Sequence, residues 1–148
     1  FGRAMTEFDR ASAIFGALDA DAWVLETEVR RAAVLLLHHR DRAAADCLDA
    51  VRQRTDRPDD PALDIALERL LGWLAFRDGA YAEADELFQS ALGRARRSGF
   101  LYEVGLALWG LEQLASAQMK EPNREWRAER FALFGVAEVS DELRGLAP

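Results

Sequence analysis

A single cysteine, Cys47, excludes an internal disulfide. No apolar run reaches the roughly 20 residues that a membrane-crossing helix needs. No glycine-rich phosphate loop is present, so an ATPase step has no cradle in these 148 residues. Asn, Thr and Ile are scarce, which leaves little material for strands. Positive charge is also in deficit: 19 Lys and Arg stand against 26 Asp and Glu, for a net charge of −7. A nucleic-acid surface needs a basic patch to meet phosphates. The densest basic run, "GRARRSG" at 93–99, is short and lies between acidic segments. It fits a helix C-terminus with cations against the dipole. No signal-peptide pattern is visible, and a cytoplasmic location is the expectation. The chain begins with Phe1, which suggests a piece of a longer protein.

What is abundant is helix material. Half of the chain is hydrophobic and 30% is charged, with Ala, Leu, Arg and Glu dominant. Apolar residues recur at helical spacing throughout, and strand-like alternation is absent. "LDADAW" (18–23) offers Asp19 or Asp21 as an N-cap. "HHRDR" (38–42) marks a tight turn, and "TDRPDDPAL" (55–63) places Asp60 as N-cap before Pro61 at the first helical position. Gly79 and Gly99 suit left-handed helix ends, Asn123 suits a cap, and Gly145 ends the last helix. Seven helices are predicted, over 2–17, 22–39, 41–54, 61–77, 81–98, 100–117 and 124–144. Short connections make consecutive helices antiparallel neighbours.

A period of 40 residues runs through this pattern. Ala84, Phe88 and Ala91 follow Ala44, Leu48 and Val51, which follow Ala4, Phe8 and Ala11. Offsets of 0, 4 and 7 put each triplet on one helix face, small, large, small. A further small residue lies twelve positions before two of these alanines: Ala32 before Ala44, and Gly72 before Ala84. "LLGWLA" (70–75) returns as "LWGLEQLA" (108–115), with Gly110 answering Gly72. A degenerate fourth triplet is expected at Ala128, Ala132 and Gly135. Each unit is a helical hairpin that buries its apolar face only by stacking on the next.

At these residues the chain resembles a tetratricopeptide repeat. The copy at 70–92, "LLGWLAFRDGAYAEADELFQSAL", has the leucine–glycine pair, the glycine–x–tyrosine turn at Gly79 and Tyr81, and the Ala84/Phe88/Ala91 triplet. It departs from the pattern at Glu68 and Ala75, where aromatics are usual, and it lacks the closing proline. The period of 40 exceeds the ordinary 34 or so. Longer helices of this kind are similar to the sensor regions of MalT-like and LuxR-type bacterial regulators and of cyclase-linked ATPases. The tail at 127–148 resembles the closing helix of those regions. The resemblance implies one all-α domain over 1–148: a right-handed stack of antiparallel hairpins, an α-solenoid, with 119–148 as a degenerate closing segment.

The same resemblance implies a non-catalytic interaction scaffold, the sensor or regulatory region of a bacterial transcriptional or signalling regulator. Its partner would be a protein, a peptide or a small ligand. A homo-oligomerisation module, for example a homodimer, is the alternative. No cofactor and no metal are expected. His38 and His39 lack a partner at zinc-ligand spacing, Cys47 fits a small core residue, and carboxylate pairs such as Glu83/Glu86 fit solvated faces. Trp23, Trp73, Trp109 and Trp126 are expected in helix packing. In such repeats the first helices line a concave groove. That places Arg69, Trp73, Phe76 and Arg77 on it, with Val29, Ala33, Leu36 and Leu37 in the unit before and Ala107, Leu111 and Leu114 in the unit after. The competing reading of Trp73 and Phe76 is buried core.

Overall fold

A computed structural model describes residues 1–54, 59–121 and 123–134. The described residues form helices and no strand. In order these are α1 (Gly2–Ala17), α2 (Asp21–Leu37), α3 (Asp41–Gln53), α4 (Pro61–Arg77), α5 (Tyr81–Ser98), α6 (Leu101–Ala117) and α7 (Arg124–Phe134). The expected seven helices are there, with ends within two residues except at the last. The part of the last helix expected beyond 134, with Gly135 and Gly145, lies outside the described residues.

The turns repeat at half the expected period. Helices α2 to α6 begin at residues 21, 41, 61, 81 and 101, a step of 20. Two residues before four of these starts, the backbone is left-handed: Asp19 (φ 52°), His39 (φ 54°), Gly79 (φ 76°) and Gly99 (φ 71°), with Met119 (φ 54°) after α6. Each of these five turns closes with one bond of the same type, in which the N–H after the left-handed residue donates to a carbonyl five residues back. The pairs are Ala20 to Phe15, Arg40 to Leu35, Ala80 to Ala75, Phe100 to Ala95 and Lys120 to Ala115, all at 2.9–3.0 Å. The residue that closes four of these helices is also the N-cap of the next. This corrects the capping expected at Asp19 or Asp21. Ala20 is the N-cap, without a side-chain bond, and Asp21 lies in the first turn where its charge meets the dipole. Asp60 does cap α4, accepting from the N–H groups of Ala62 and Leu63, and Asn123 accepts from the N–H of Glu125.

The helices pack in two rows. Even helices α2, α4 and α6 touch one another in sequence, and each packs against the odd helices on either side of it. The backbones of odd helices stay apart among the described residues, and α5 and α7 meet only through the Arg96–Glu129 side chains. The two central triplets sit between the rows: Ala44, Leu48, Ala84, Phe88 and Ala91 have no exposed surface, and Val51 almost none. Ala4, Phe8 and Ala11 are only half-buried, because α1 has a neighbour on one side.

Phe88 is the tightest point. A Cβ built on Gly72 would lie 2.8 Å from its ring, and one built on Gly110 would lie 2.6 Å from it. The ring therefore wedges between α4 and α6 at the two places where neither has a side chain. Trp73 packs edge-on against it, with ring centroids 5.2 Å apart, and Trp109 lies 4.7 Å from Trp73. Trp126 packs partly against this core, but Trp23 does not. It is 57% exposed, stacked on Phe15 at the α1–α2 turn.

The last hairpin replaces this contact with charge. Position 112, forty after Gly72, is Glu112, and it is buried. Its partner is Arg130, also buried, which donates through Nε and an Nη to the two carboxylate oxygens, both at 3.0 Å. The α7 face toward α6 is thus Trp126, Arg130 and Leu133, at offsets 0, 4 and 7 and two residues out of step with the period. The expected fourth triplet is displaced accordingly. Ala128 and Ala132 point to solvent. The longer α6–α7 connection shifts the register, and a buried Glu112 demands a cation opposite.

Arginine joins the helices at nearly every other contact. Arg31 pairs with Asp9 across α1–α2, Arg77 with Asp41 across α3–α4, Arg69 with Glu103 at 2.7 Å across α4–α6, and Arg96 with Glu129 across α5–α7. Only one of the 19 basic residues, Lys120, is a lysine. The planar guanidinium reaches two carboxylate oxygens at fixed geometry, which an ammonium does not.

At an open helix position, glycine to alanine stabilises by about 1 kcal/mol. Gly72→Ala should instead destabilise by about 1–3 kcal/mol, because its methyl meets the Phe88 ring. Adding Phe88→Leu should recover part of that loss, since Ala32 and Leu48, both fully buried, stand at the same two positions forty residues earlier. In a denaturation cycle, strictly additive singles would contradict the contact. For the last hairpin, Glu112→Ala or Arg130→Ala should each cost about 3–5 kcal/mol by leaving a charge buried alone. The exchange Glu112→Gly/Arg130→Phe should melt above either single variant; melting below both would show that the pair does not stand in for the aromatic contact.

Candidate functional site

The groove expected on the first helices is closed. Trp73 has no exposed surface, Leu36 and Ala107 none, Leu111 1%, Phe76 and Leu114 3% and Val29 4%. Arg69 is buried and spent on Glu103, and the Arg77 side chain, 6% exposed, is spent on Asp41. Only Ala33 and Leu37 are half-exposed. The cause is the direct packing of even helix on even helix, which turns the expected concave wall into core. Trp73 and Phe76 are core residues, in T-shaped contact at 5.6 Å.

Open surface lies on the other side. Because the odd helices stand apart, an even helix shows between each successive pair. A cleft of about 520 Å³ runs between α3 and α5 with α4 as its floor. A second, of about 320 Å³, lies between α5 and α7 with α6 as its floor. They are copies of one site. Leu71, Leu74, Ala75, Asp78, Ala80 and Glu83 line the first; the residues forty further on, Leu111, Leu114, Ala115, Gln118, Lys120 and Asn123, line the second. Leu111 and Leu114 are therefore lining residues of a cleft, but on the face opposite the one expected.

Along the first cleft, Leu71 and Leu74 of α4 and Leu87 of α5 are half-exposed. Helix α3, its other wall, has 13 residues where its neighbours have 16 to 18 and contributes Arg52 near its end. At one end, Arg94 donates to Asp64 at 2.9 Å and to Glu68 at 2.7 Å. Burial works against the Arg94 charge, but these hydrogen bonds outweigh it and push its pKa above the ordinary arginine value. At the other end, Asp78 and Glu83 are exposed and make no ion pair among the described residues.

Cys47 is half-buried on α3. Burial pushes its thiol pKa up, and the nearby Glu28 carboxylate pushes it further in the same direction. A thiol so placed stays protonated and is a poor nucleophile at neutral pH. Among the described residues no group of three His, Cys, Asp or Glu side chains is arranged to hold a metal ion, and no helix is long and apolar enough to cross a membrane.

The clefts were not visible in the sequence because the triplets report only where helices touch. The signal for a gap was the leucines at 71, 74 and 87, which no triplet uses. Comparison with protein-family models, curated proteins and solved structures gives no match.

Proposed function

We propose that the chain is a non-catalytic interaction scaffold, a stacked helical-repeat region that serves as the sensor or regulatory part of a bacterial cytoplasmic regulator. One observation carries the scaffold reading: the same cleft recurs forty residues along the chain, with different side chains on the same framework. Repeated surface with varied lining is how stacked hairpins present an extended binding face. The regulator part rests on the resemblance of residues 70–92 to a tetratricopeptide repeat and of the long period to regulator sensor regions.

A second reading, self-association, is favoured by a different surface. Helix α1 has no buried residue, and Ile14, Leu18 and Trp23 at the α1–α2 turn are 55–68% exposed. A second copy covering α1 would bury them.

A photo-crosslinking side chain separates the two. Placed at Leu87 on the cleft wall, it should trap one partner polypeptide in the producing cell, and Leu71→Arg should abolish that adduct. The same group at Arg10, on the exposed face of α1, should trap little. Equal adducts from both positions would contradict the cleft as the binding face. Adducts from Ile14 or Leu18 at twice the chain mass would establish self-association instead.

A further inference from the structure

We infer that the α3–α4–α5 cleft receives a cationic amphipathic helix from a partner protein, apolar side on Leu71, Leu74 and Leu87, basic side toward Asp78 and Glu83. The inference rests on the scaffold reading and names its partner class.

Shape comes first. The floor follows α4 from Asp64 to Asp78, which is fourteen steps along the chain, or about 21 Å at 1.5 Å per residue. The cleft is a trough parallel to a helix and not a closed hole, and a helix of about four turns matches its length. Its walls are helical side chains, whose backbone groups are already paired within their own helices. No sheet edge is on offer among the described residues, so an extended peptide would leave its own N–H and C=O groups unpaired over leucine. A helix satisfies its backbone internally and presents leucine-type side chains at i, i+3, i+4 and i+7.

Charge then selects the sign. The cleft is lined by four carboxylates and two arginines. Arg94 is committed to Asp64 and Glu68, and Arg52 lies 3.7 Å from Asp49. Asp78 and Glu83 remain at the end toward α5, exposed and without an internal cation among the described residues. An occupant with basic residues at one end of an apolar stripe meets both features. An acidic occupant would face the carboxylates. A second copy of this chain, which carries a net charge of −7, starts from like-charge repulsion. In the copy of the cleft over α6, Gln118, Lys120 and Asn123 replace Asp78, Ala80 and Glu83, and the carboxylates that line it, Glu121 and Asp85, share it with Lys120.

Two synthetic amphipathic peptides of about fifteen residues test this, one with leucine and lysine faces and one with leucine and glutamate faces. Binding is followed by fluorescence anisotropy, and the site by amide shift mapping of the isotope-labelled full chain. The lysine peptide should bind at least tenfold more tightly, shift amides along 71–87 and weaken with salt. Asp78→Lys/Glu83→Lys should lower its affinity about tenfold at unchanged melting temperature, while the charge-matched control Glu7→Lys/Glu125→Lys should lower it much less. Equal loss in both variants would show attraction to net charge alone and overturn the proposal. Preference for the glutamate peptide, or shifts of 71–87 on self-association, would overturn the cationic partner and leave the scaffold reading standing. Absence of any shift along 71–87 with either peptide would also overturn it, and the crosslinking from Leu87 then decides whether the scaffold reading falls too.

Discussion

The Phe88 ring fills a slot that exists because residues 72 and 110 have no Cβ. One aromatic side chain on α5 thereby sets how closely α4 and α6 approach it, and so how closely they approach each other. With that distance fixed, Trp73 and Trp109 meet as tilted rings across the even row, and Arg69 reaches Glu103. The even helices become a continuous inner layer. Helices α3 and α5 are then each held between two even ones, with the backbones of the odd helices apart. The closed inner face and the clefted outer face follow from the same contact.

The helices were legible because their ends carry local chemistry. Asp60–Pro61, Gly79, Gly99 and Asn123 each specify a terminus by a mechanism that needs no tertiary information. The 20-residue step was hidden where the left-handed position is held by Asp19, His39 and Met119, residues that do not announce a turn as glycine does. The triplets at 44 and 84 correctly marked buried faces. The fourth did not, because the connection before α7 shifts the register by two and an ion pair takes over from an aromatic. A pattern of small and large residues cannot signal a contact between Glu112 and Arg130.

The binding face was the least legible part. Arg69, Trp73 and Phe76 carry the chemistry of an interaction surface, and the fold uses that chemistry internally. Whether such residues face a groove or a neighbour depends on the distance between even helices, which is a property of the stack and not of any one helix. The cleft over α4 is a gap between α3 and α5, an omission and not a motif. Its leucines are ordinary helix residues that no neighbouring helix covers fully.

The central claim, that one ring between two glycines sets the spacing of the stack, is tested most directly by proton NMR of the isotope-labelled chain. The account predicts strong Overhauser effects from the Phe88 ring protons to the α protons of both Gly72 and Gly110, with those α protons shifted upfield by the ring current. Contacts to Gly72 alone, with Gly110 at an unperturbed shift, would mean that α5 and α6 are not locked by this ring, and the account of the closed inner row would be contradicted.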